Sequence, residues 1–237
     1  MVEARAIVVF SGAGLSAESG IPTFREAQTG WWARFDPERL ASPRGWEDDA
    51  ALVWAWYVSR MARVREAMPN AGHRALAHTA YAGKLSLVTQ NVDDLHERAG
   101  CRDVVHLHGE LFAHRCSACG KGHADVALPS SRAVPERLEP PGCTQCGGRI
   151  RPGVVWFGEN LPATAWERAA AMTAACDLML VVGTSGVVQP AARLPVLAKR
   201  HGARIIEVNP QASALTDLAD LHIAATAATA LPILLDA

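Results

Sequence analysis

Two Cys-x-x-Cys pairs, Cys116-Ser117-Ala118-Cys119 and Cys143-Thr144-Gln145-Cys146, each followed by a glycine (Gly120, Gly147), offer four thiols to one ion. Four thiolates complete a tetrahedral shell and leave no open position for water, which predicts one structural Zn2+ and no metal chemistry. The 23 residues between the pairs slightly exceed a usual ribbon spacing, and a loop over 124–141 would absorb the excess. A redox role fits either pair alone but not both together. A second group of residues suits a dinucleotide. Gly12-Ala13-Gly14-Leu15-Ser16-Ala17 follows a short apolar run and fits GxGxxA, where glycines allow a tight turn and let a pyrophosphate approach backbone amides. The acidic residue expected about twenty positions later on a second strand is missing, because Asp36 and Glu38 fall in a Trp-rich segment. That argues against a hydride-transferring dehydrogenase. Gly183-Thr184-Ser185 and Asn209-Pro210 end two further apolar runs, so three strand ends would converge on one elongated ligand. His106 and His108 are two residues apart and would share one face of a strand, so periodicity alone does not choose between them as a base.

The elements that must hold these groups follow from the apolar pattern. Runs rich in β-branched residues recur at 7–10, 85–89, 104–107, 178–183, 204–208 and 221–223, as suits strands of a parallel sheet covered on both faces. Helix-like stretches lie between several of them, at 91–99, 189–201 and 212–218. The alternation predicts an α/β fold: a Rossmann-like, doubly wound parallel sheet. Two segments break the rhythm. Residues 26–68 are helical in pattern and carry Trp31, Trp32, Trp46, Trp54 and Trp56, while 113–152 carry all four paired cysteines. The expected division is therefore a discontinuous sheet domain at 1–25, 69–112 and 153–237, with a smaller inserted zinc-binding module at 26–68 and 113–152.

Of the 237 residues 49% are hydrophobic, and Lys+Arg 23 against Asp+Glu 24 leave a net charge of -1. That balance gives no bulk field for nucleic acid or an acidic membrane surface, so neither is an expected partner. The apolar run near the N-terminus is too short for a signal segment, and no run approaches a membrane span, so a cytoplasmic protein is expected. In a reducing compartment paired cysteines read as metal ligands, and the isolated Cys101 and Cys176 read as core thiols. His73, His78 and His96 lack metal-ligand spacing with the cysteines and read as structural or surface residues.

The motifs GAGLSAESGIPTFR (12–25), TQNVDDLH (89–96), LHGEL (107–111), the two CxxC pairs, RPGVVWFGE (151–159), GTS (183–185) and NP (209–210) occur in sirtuin order, and the chain closely resembles a sirtuin over nearly its whole length. The resemblance implies NAD-dependent removal of acyl groups from protein lysines. It implies that Gly12, Ala13, Gly14 and Ser16 hold the pyrophosphate and adjacent ribose, and that Phe24 and Arg25 belong to a loop closing over NAD. Gln90, Asn91 and Asp93 would line the nicotinamide-ribose pocket, with Asn91 taking part in catalysis. Gly183, Thr184, Ser185, Asn209 and Pro210 would line the adenosine end, with Ala227 near the adenine. In the family mechanism the acyl-lysine oxygen displaces nicotinamide at C1′. His108 then acts as general base for a ribose hydroxyl, and water releases lysine and O-acyl-ADP-ribose. An imidazole, with an unperturbed pKa of about 6.5, suits that step. The choice of His108 over His106 rests on the resemblance.

Tyr57 and Arg60 lie i, i+3 in a helix-like segment and share a face, where a phenol and a guanidinium can bind a carboxylate. This YxxR pattern, with RPGVVWFGE, resembles sirtuins that remove succinyl and malonyl groups. Val155, Trp156, Phe157 and Gly158 would supply backbone to a substrate peptide added as a strand. A monomer acting on acylated protein lysines, with NAD as co-substrate and one zinc, is the expectation. Three competing readings are a zinc-ribbon nucleic-acid-binding regulator, an NAD-dependent oxidoreductase and an ADP-ribosyltransferase. Salt-dependent DNA binding without NAD consumption marks the first, NAD reduction the second, and label from NAD retained on protein the third.

Overall fold

A computed structural model describes residues 4–23, 34–81, 83, 85–124, 126–129 and 134–236. In chain order the elements begin with β1 (Ile7–Ser11), α1 (Gly14–Ala17), α2 (Pro37–Leu40), α3 (Pro43–Asp48), α4 (Ala50–Glu66) and α5 (Ala71–Tyr81). Next come β2 (Leu85–Thr89), α6 (Leu95–Arg98), β3 (Val104–His106), β4 (Gly109–Cys116), β5 (Gly122–His123) and β6 (Ile150–Val154). The chain continues with α7 (Ala163–Ala175), β7 (Leu178–Val182), α8 (Arg193–Arg200), β8 (Arg204–Val208), β9 (Leu221–Ile223) and α9 (Ala227–Leu235). Two compact units result, one made of residues 1–23, 68–107 and 161–237, the other of 24–67 and 108–160.

The larger unit is built on a six-stranded sheet of order β3-β2-β1-β7-β8-β9, and every pairing is parallel. All five residues of β1 and of β7 are buried, because helices cover both faces and the strands therefore read as unbroken apolar runs. Alternate residues serve the two layers. Ile7, Val9, Leu85, Leu87, Leu178 and Leu180 pack with Leu76 of α5 and Leu231 of α9. Val8, Phe10, Val88, Met179 and Val181 pack with Ala169 of α7 and Leu194 of α8. The sheet is thus doubly wound as the sequence predicts, and the order in which strands are added reverses between β1 and β7. That pair of strands is the topological switch point, where open α/β sheets bind ligands beyond their carboxyl ends. The predicted helices are shorter than expected: 91–99 contracts to α6, 189–201 to α8, and 212–218 to a 3-10 turn at Thr216–Leu218.

In the smaller unit α3 and α4 each start with a side-chain cap. Ser42 Oγ accepts from Gly45 N at 3.0 Å before α3, with Pro43 at its first position, and Asp49 Oδ1 accepts from Leu52 N at 3.0 Å before α4. Arg137 holds the same Asp49 through Nε and Nη2 at 2.9 and 2.8 Å, tying the loop after the first cysteine pair to α4. β4 pairs antiparallel with β5 and β6. The expected boundaries at 112 and 153 cut through β4 and β6, whose mutual pairing puts both wholly in this unit. Gly109 (φ +70°) and Gly153 make the pairing feasible, since a Cβ on Gly109 would sit 2.1 Å from Gly153 O and one on Gly153 1.9 Å from Ala113 O.

Candidate functional site

The GxGxxA turn leaves β1 against the turn that leaves β7. Gly12 N donates to Val182 O at 2.9 Å and Gly14 N to Gly183 O at 2.8 Å. Gly183 has φ +59°, and a Cβ there would meet Leu15 N at 2.4 Å; one on Gly12 or Gly14 would meet the Gly183–Thr184 backbone at 2.8–2.9 Å. The glycines thus let two strand-end loops touch backbone to backbone, a constraint independent of any ligand. Gln90 spans the same gap: its N–H donates to Ser11 O at 2.9 Å and its Nε2 to Thr184 Oγ1 at 2.8 Å. Asn209 Nδ2 donates to Thr184 O at 2.9 Å, joining the end of β8. Ser185 O accepts from Ala214 N at 3.2 Å, beyond the turn begun by Asn209 and Pro210.

Beside these turns lies a buried polar cluster with defined direction. Asn91 Nδ2 donates to Gly12 O (3.1 Å) and to Ser16 Oγ (3.2 Å), and Ser16 Oγ passes its own proton to Asp93 Oδ2 (3.0 Å). The Asn91 amide protons are therefore used within the protein, while its Oδ1 has no partner among the described residues and remains an acceptor. Burial raises the Asp93 carboxyl above its ordinary pKa, although Leu95 N–H and the Ser16 hydroxyl pull it down. The Asn91 N–H donates to Thr89 Oγ1 (3.0 Å), which also accepts from Ser11 Oγ (2.8 Å), and Ser11 in turn meets His96 Nε2 at 3.1 Å. Because Ser11 has given its proton to Thr89, His96 must donate from Nε2 and be neutral at Nδ1. Ser11 and Thr89 are supporting residues that sequence reasoning missed, and His96, expected as a structural or surface residue, is buried beside them. The signal for Ser11 and Thr89 was present: each is a hydroxyl residue closing an apolar strand, IVVFS and LSLVT.

His106 sits on β3 with Nδ1 at 3.0 Å from Asn91 O and Nε2 at 2.9 Å from Glu97 Oε1. Its ring thus braces the Asn91 turn. Ala227 opens α9, buried, next to Ala228, whose N–H donates to Glu18 Oε2 at 3.2 Å. Phe24 and Arg25 lie outside the described residues.

The smaller unit gathers the remaining predicted residues. His108 follows β3 by two positions and precedes β4; its carbonyl accepts from Val155 N at 2.8 Å. Trp156 is buried and its Nε1 donates to Tyr57 Oη at 2.9 Å, with the two rings stacked at 6.4 Å. Tyr57 is also buried, at 3% exposure, one helical turn before Arg60 on α4. Burial pushes the Tyr57 phenol up, outweighing the nearby Arg60 charge. Arg60 is half-buried, its guanidinium 5.0 Å from the Trp56 ring centre. Phe157 is 41% exposed, and Gly158 turns the chain at φ +89°.

The Sγ atoms of Cys116, Cys119, Cys143 and Cys146 all lie within 4.8 Å of one another. Backbone N–H groups of Ala118 and Cys119 point at Cys116 Sγ (3.4 and 3.5 Å), and that of Gln145 at Cys143 Sγ (3.4 Å). These donors lower the Cys116 and Cys143 thiols to about 6 and about 7, with the bond from Cys119 N–H leading for Cys116 and that from Gln145 N–H for Cys143. Four soft thiolates in two knuckles fit a structural zinc. His123 Nε2 lies 3.3 Å from Cys143 Sγ, as a partner outside the cluster.

A dinucleotide crevice at the switch point of a parallel sheet, in a chain with a thiolate-only zinc module, defines a zinc-stabilised nucleotide-binding protein. Residues 12–190 match the Sir2 family, and the chain belongs to that family. It is 59% identical over 213 residues to "NAD-dependent protein deacylase 1" of Pseudomonas aeruginosa, covering 88% of this chain and 84% of that one. A crystal structure of a Sir2 homologue in complex with NAD superposes with a TM-score of 0.90 at 45% identity, over 99% of this chain and 89% of the other. Sir2Tm bound to a propionylated peptide gives 0.84 at 31% identity, over 99% and 94%.

Proposed function

We propose that the chain is an NAD-dependent protein-lysine deacylase that accepts acetyl-lysine and favours acyl groups ending in a carboxylate. The observation that carries the NAD reading is the convergence of the β1, β2, β7 and β8 ends on one polar cluster, supported by the likeness to an NAD-bound Sir2 homologue. NAD supplies a glycosidic carbon from which nicotinamide can leave. The 12–16 turn would receive the pyrophosphate against its side-chain-free glycines and the Ala13 N–H, since the N–H groups of Gly12, Gly14, Leu15 and Ser16 are bonded within the protein. Asn91 Oδ1, its own amide protons already committed, would accept from a ribose hydroxyl. Asp93 fixes Ser16 by accepting its proton. His108 would take the ribose hydroxyl proton once the acyl oxygen is bound, its backbone anchored by Val155. Zinc takes no part, because four thiolates fill its shell.

The acyl preference rests on Tyr57 and Arg60, one turn apart on α4, as phenol donor and guanidinium for a carboxylate. The Val155–Gly158 stretch would offer backbone to the substrate peptide. A monomer in the cytoplasm, acting on acylated protein lysines, completes the reading; the unpaired buried Cys101 and Cys176 suit a reducing compartment, and no helix among the described residues is long and apolar enough to cross a membrane. Mass spectrometry of products from NAD with acetyl-, succinyl- and malonyl-lysine peptides tests the reaction. Nicotinamide and O-acyl-ADP-ribose in equal amounts are expected, and label from NAD retained on protein would instead mark an ADP-ribosyltransferase. For selectivity, Arg60→Met should lower kcat/KM on succinyl- and malonyl-lysine by at least about tenfold more than on acetyl-lysine. Equal losses on all three would remove Arg60 from the acyl site.

A further inference from the structure

An indole nitrogen can only donate, whereas a phenol oxygen both donates and accepts. Trp156 Nε1 lies 2.9 Å from Tyr57 Oη, so this bond has one direction: Trp156 gives and Tyr57 receives. The phenol keeps its own proton, and no described residue accepts it. Both side chains are nearly sealed from solvent, at 3% exposure for Tyr57 and 2% for Trp156. A buried donor without an acceptor is costly, and an acceptor brought by a ligand would relieve that cost.

The indole has little freedom to turn away. The Arg151 guanidinium lies 3.1 Å from its ring centre, and the Trp46 ring packs at 5.6 Å. Trp156 N–H donates to Glu159 Oε2 at 2.8 Å. Glu159 in turn takes Arg151 through both carboxylate oxygens, at 2.6 and 3.0 Å. Arg151 Nη2 also donates to Val154 O at 2.9 Å, so the clamp is fastened to β6 at its far end. RPGVVWFGE therefore acts as one device: its first and last residues hold its tryptophan, and its tryptophan holds Tyr57.

We propose that Trp156 is a specificity-setting positioning residue: by occupying the acceptor side of the Tyr57 phenol, its indole N–H leaves the phenol an obligate donor toward a terminal carboxylate on the acyl group. This rests on the reading of Tyr57 and Arg60 as the acyl-selecting pair. A phenol without that partner could accept as readily as donate, and its preference for an anion over a neutral acyl end would fall.

The test is a double-mutant cycle with Trp156→Phe and Tyr57→Phe, measuring kcat and KM on succinyl- and acetyl-lysine peptides of one sequence at saturating NAD. Trp156→Phe is expected to lower the succinyl-to-acetyl ratio of kcat/KM about tenfold, chiefly through the succinyl KM. In the Tyr57→Phe background the same change should shift the ratio by less than about twofold, because no phenol remains to aim. Replacing Trp156 with 3-benzothienylalanine, of the same shape but without the N–H, should reproduce the loss and covers the case in which phenylalanine unfolds the site. Equal losses on both peptides, or an undiminished effect in the Tyr57→Phe background, would show that the indole only packs. A ratio moved by Tyr57→Phe and Arg60→Met but not by Trp156→Phe overturns this inference alone. A ratio unmoved by Tyr57→Phe or Arg60→Met overturns the selecting pair and the inference with it.

Discussion

Replacing Gly183 with alanine separates two demands that this glycine meets at once. Its φ of +59° is a left-handed conformation, which an alanine adopts at a cost of about 1–2 kcal/mol. The added Cβ would also lie 2.4 Å from Leu15 N and 2.6 Å from Gly14 C, backbone atoms with no rotamer to yield. Restoring ordinary contact requires the 12–16 turn to retreat by roughly 1 Å, and overpacking of that kind costs about 1–3 kcal/mol more. The sum, about 2–5 kcal/mol, corresponds to a fall in melting temperature of roughly 5–15 °C for a chain of this size. A turn displaced by about 1 Å should also raise the KM for NAD at least tenfold. Gly202 provides the control, having φ +88° but no atom within 4 Å of its Cβ position, so Gly202→Ala meets only the backbone cost of about 1–2 kcal/mol. Thermal unfolding and NAD saturation kinetics on both variants decide the matter. If the two lose equal stability and neither moves the KM for NAD, the close contact between the turns is not what holds the crevice.

Other perturbations probe other parts of the molecule. Cys143→Ala, or removal of zinc by a chelator, should abolish activity through loss of structure in the smaller unit, read as one equivalent of zinc released together with a change in circular dichroism; retained folding with turnover alone lost would reassign the ion. His108→Ala should cut turnover by a hundredfold or more while the dissociation constant for NAD, measured by calorimetry, changes little, since the polar cluster at the β1 and β7 ends is untouched. Burial lowers His73 to about 4 and His96 to about 3 in the folded protein, against about 6.5 unfolded. Below pH 6.5 the unfolded chain therefore binds more protons, and stability falls as pH drops toward those values, by up to about 1.4 kcal/mol per histidine per pH unit. Urea midpoints at pH 7 and pH 5 should show this slope, and His73→Leu should flatten it; an unchanged slope would mean that His73 is solvated in the folded state.

The sheet was legible because burial on both faces writes each strand as a continuous apolar run: the expected ranges of β2, β8 and β9 match outright, and those of β1, β3 and β7 end within one residue. Helices fared less well. α5, α7 and α9 are rich in alanine, with many positions that are neither clearly core nor clearly surface, and no stripe marks them out. The glycine turns, the cysteine pairs and the TQNVDDLH motif stood out because function and tight packing both restrict residue type. What spacing could not reveal was direction. That Trp156 donates to Tyr57, that Asn91 has spent its amide protons, and that His106 braces a carbonyl while His108 lies beyond the strand are facts of three-dimensional contact between residues far apart in sequence.

The order of the strands also sets a schedule for synthesis. β1 pairs on one side with β7, about 170 residues later in the chain. At roughly 5–20 residues per second, that neighbour arrives some 10–30 s after β1 has emerged. For that interval the IVVFS strand, wholly buried in the finished protein, has one edge unpaired. The four cysteines are all in place by residue 146, before any of β7 exists. The zinc shell of the smaller unit can therefore be filled while the central sheet of the larger one is still half built.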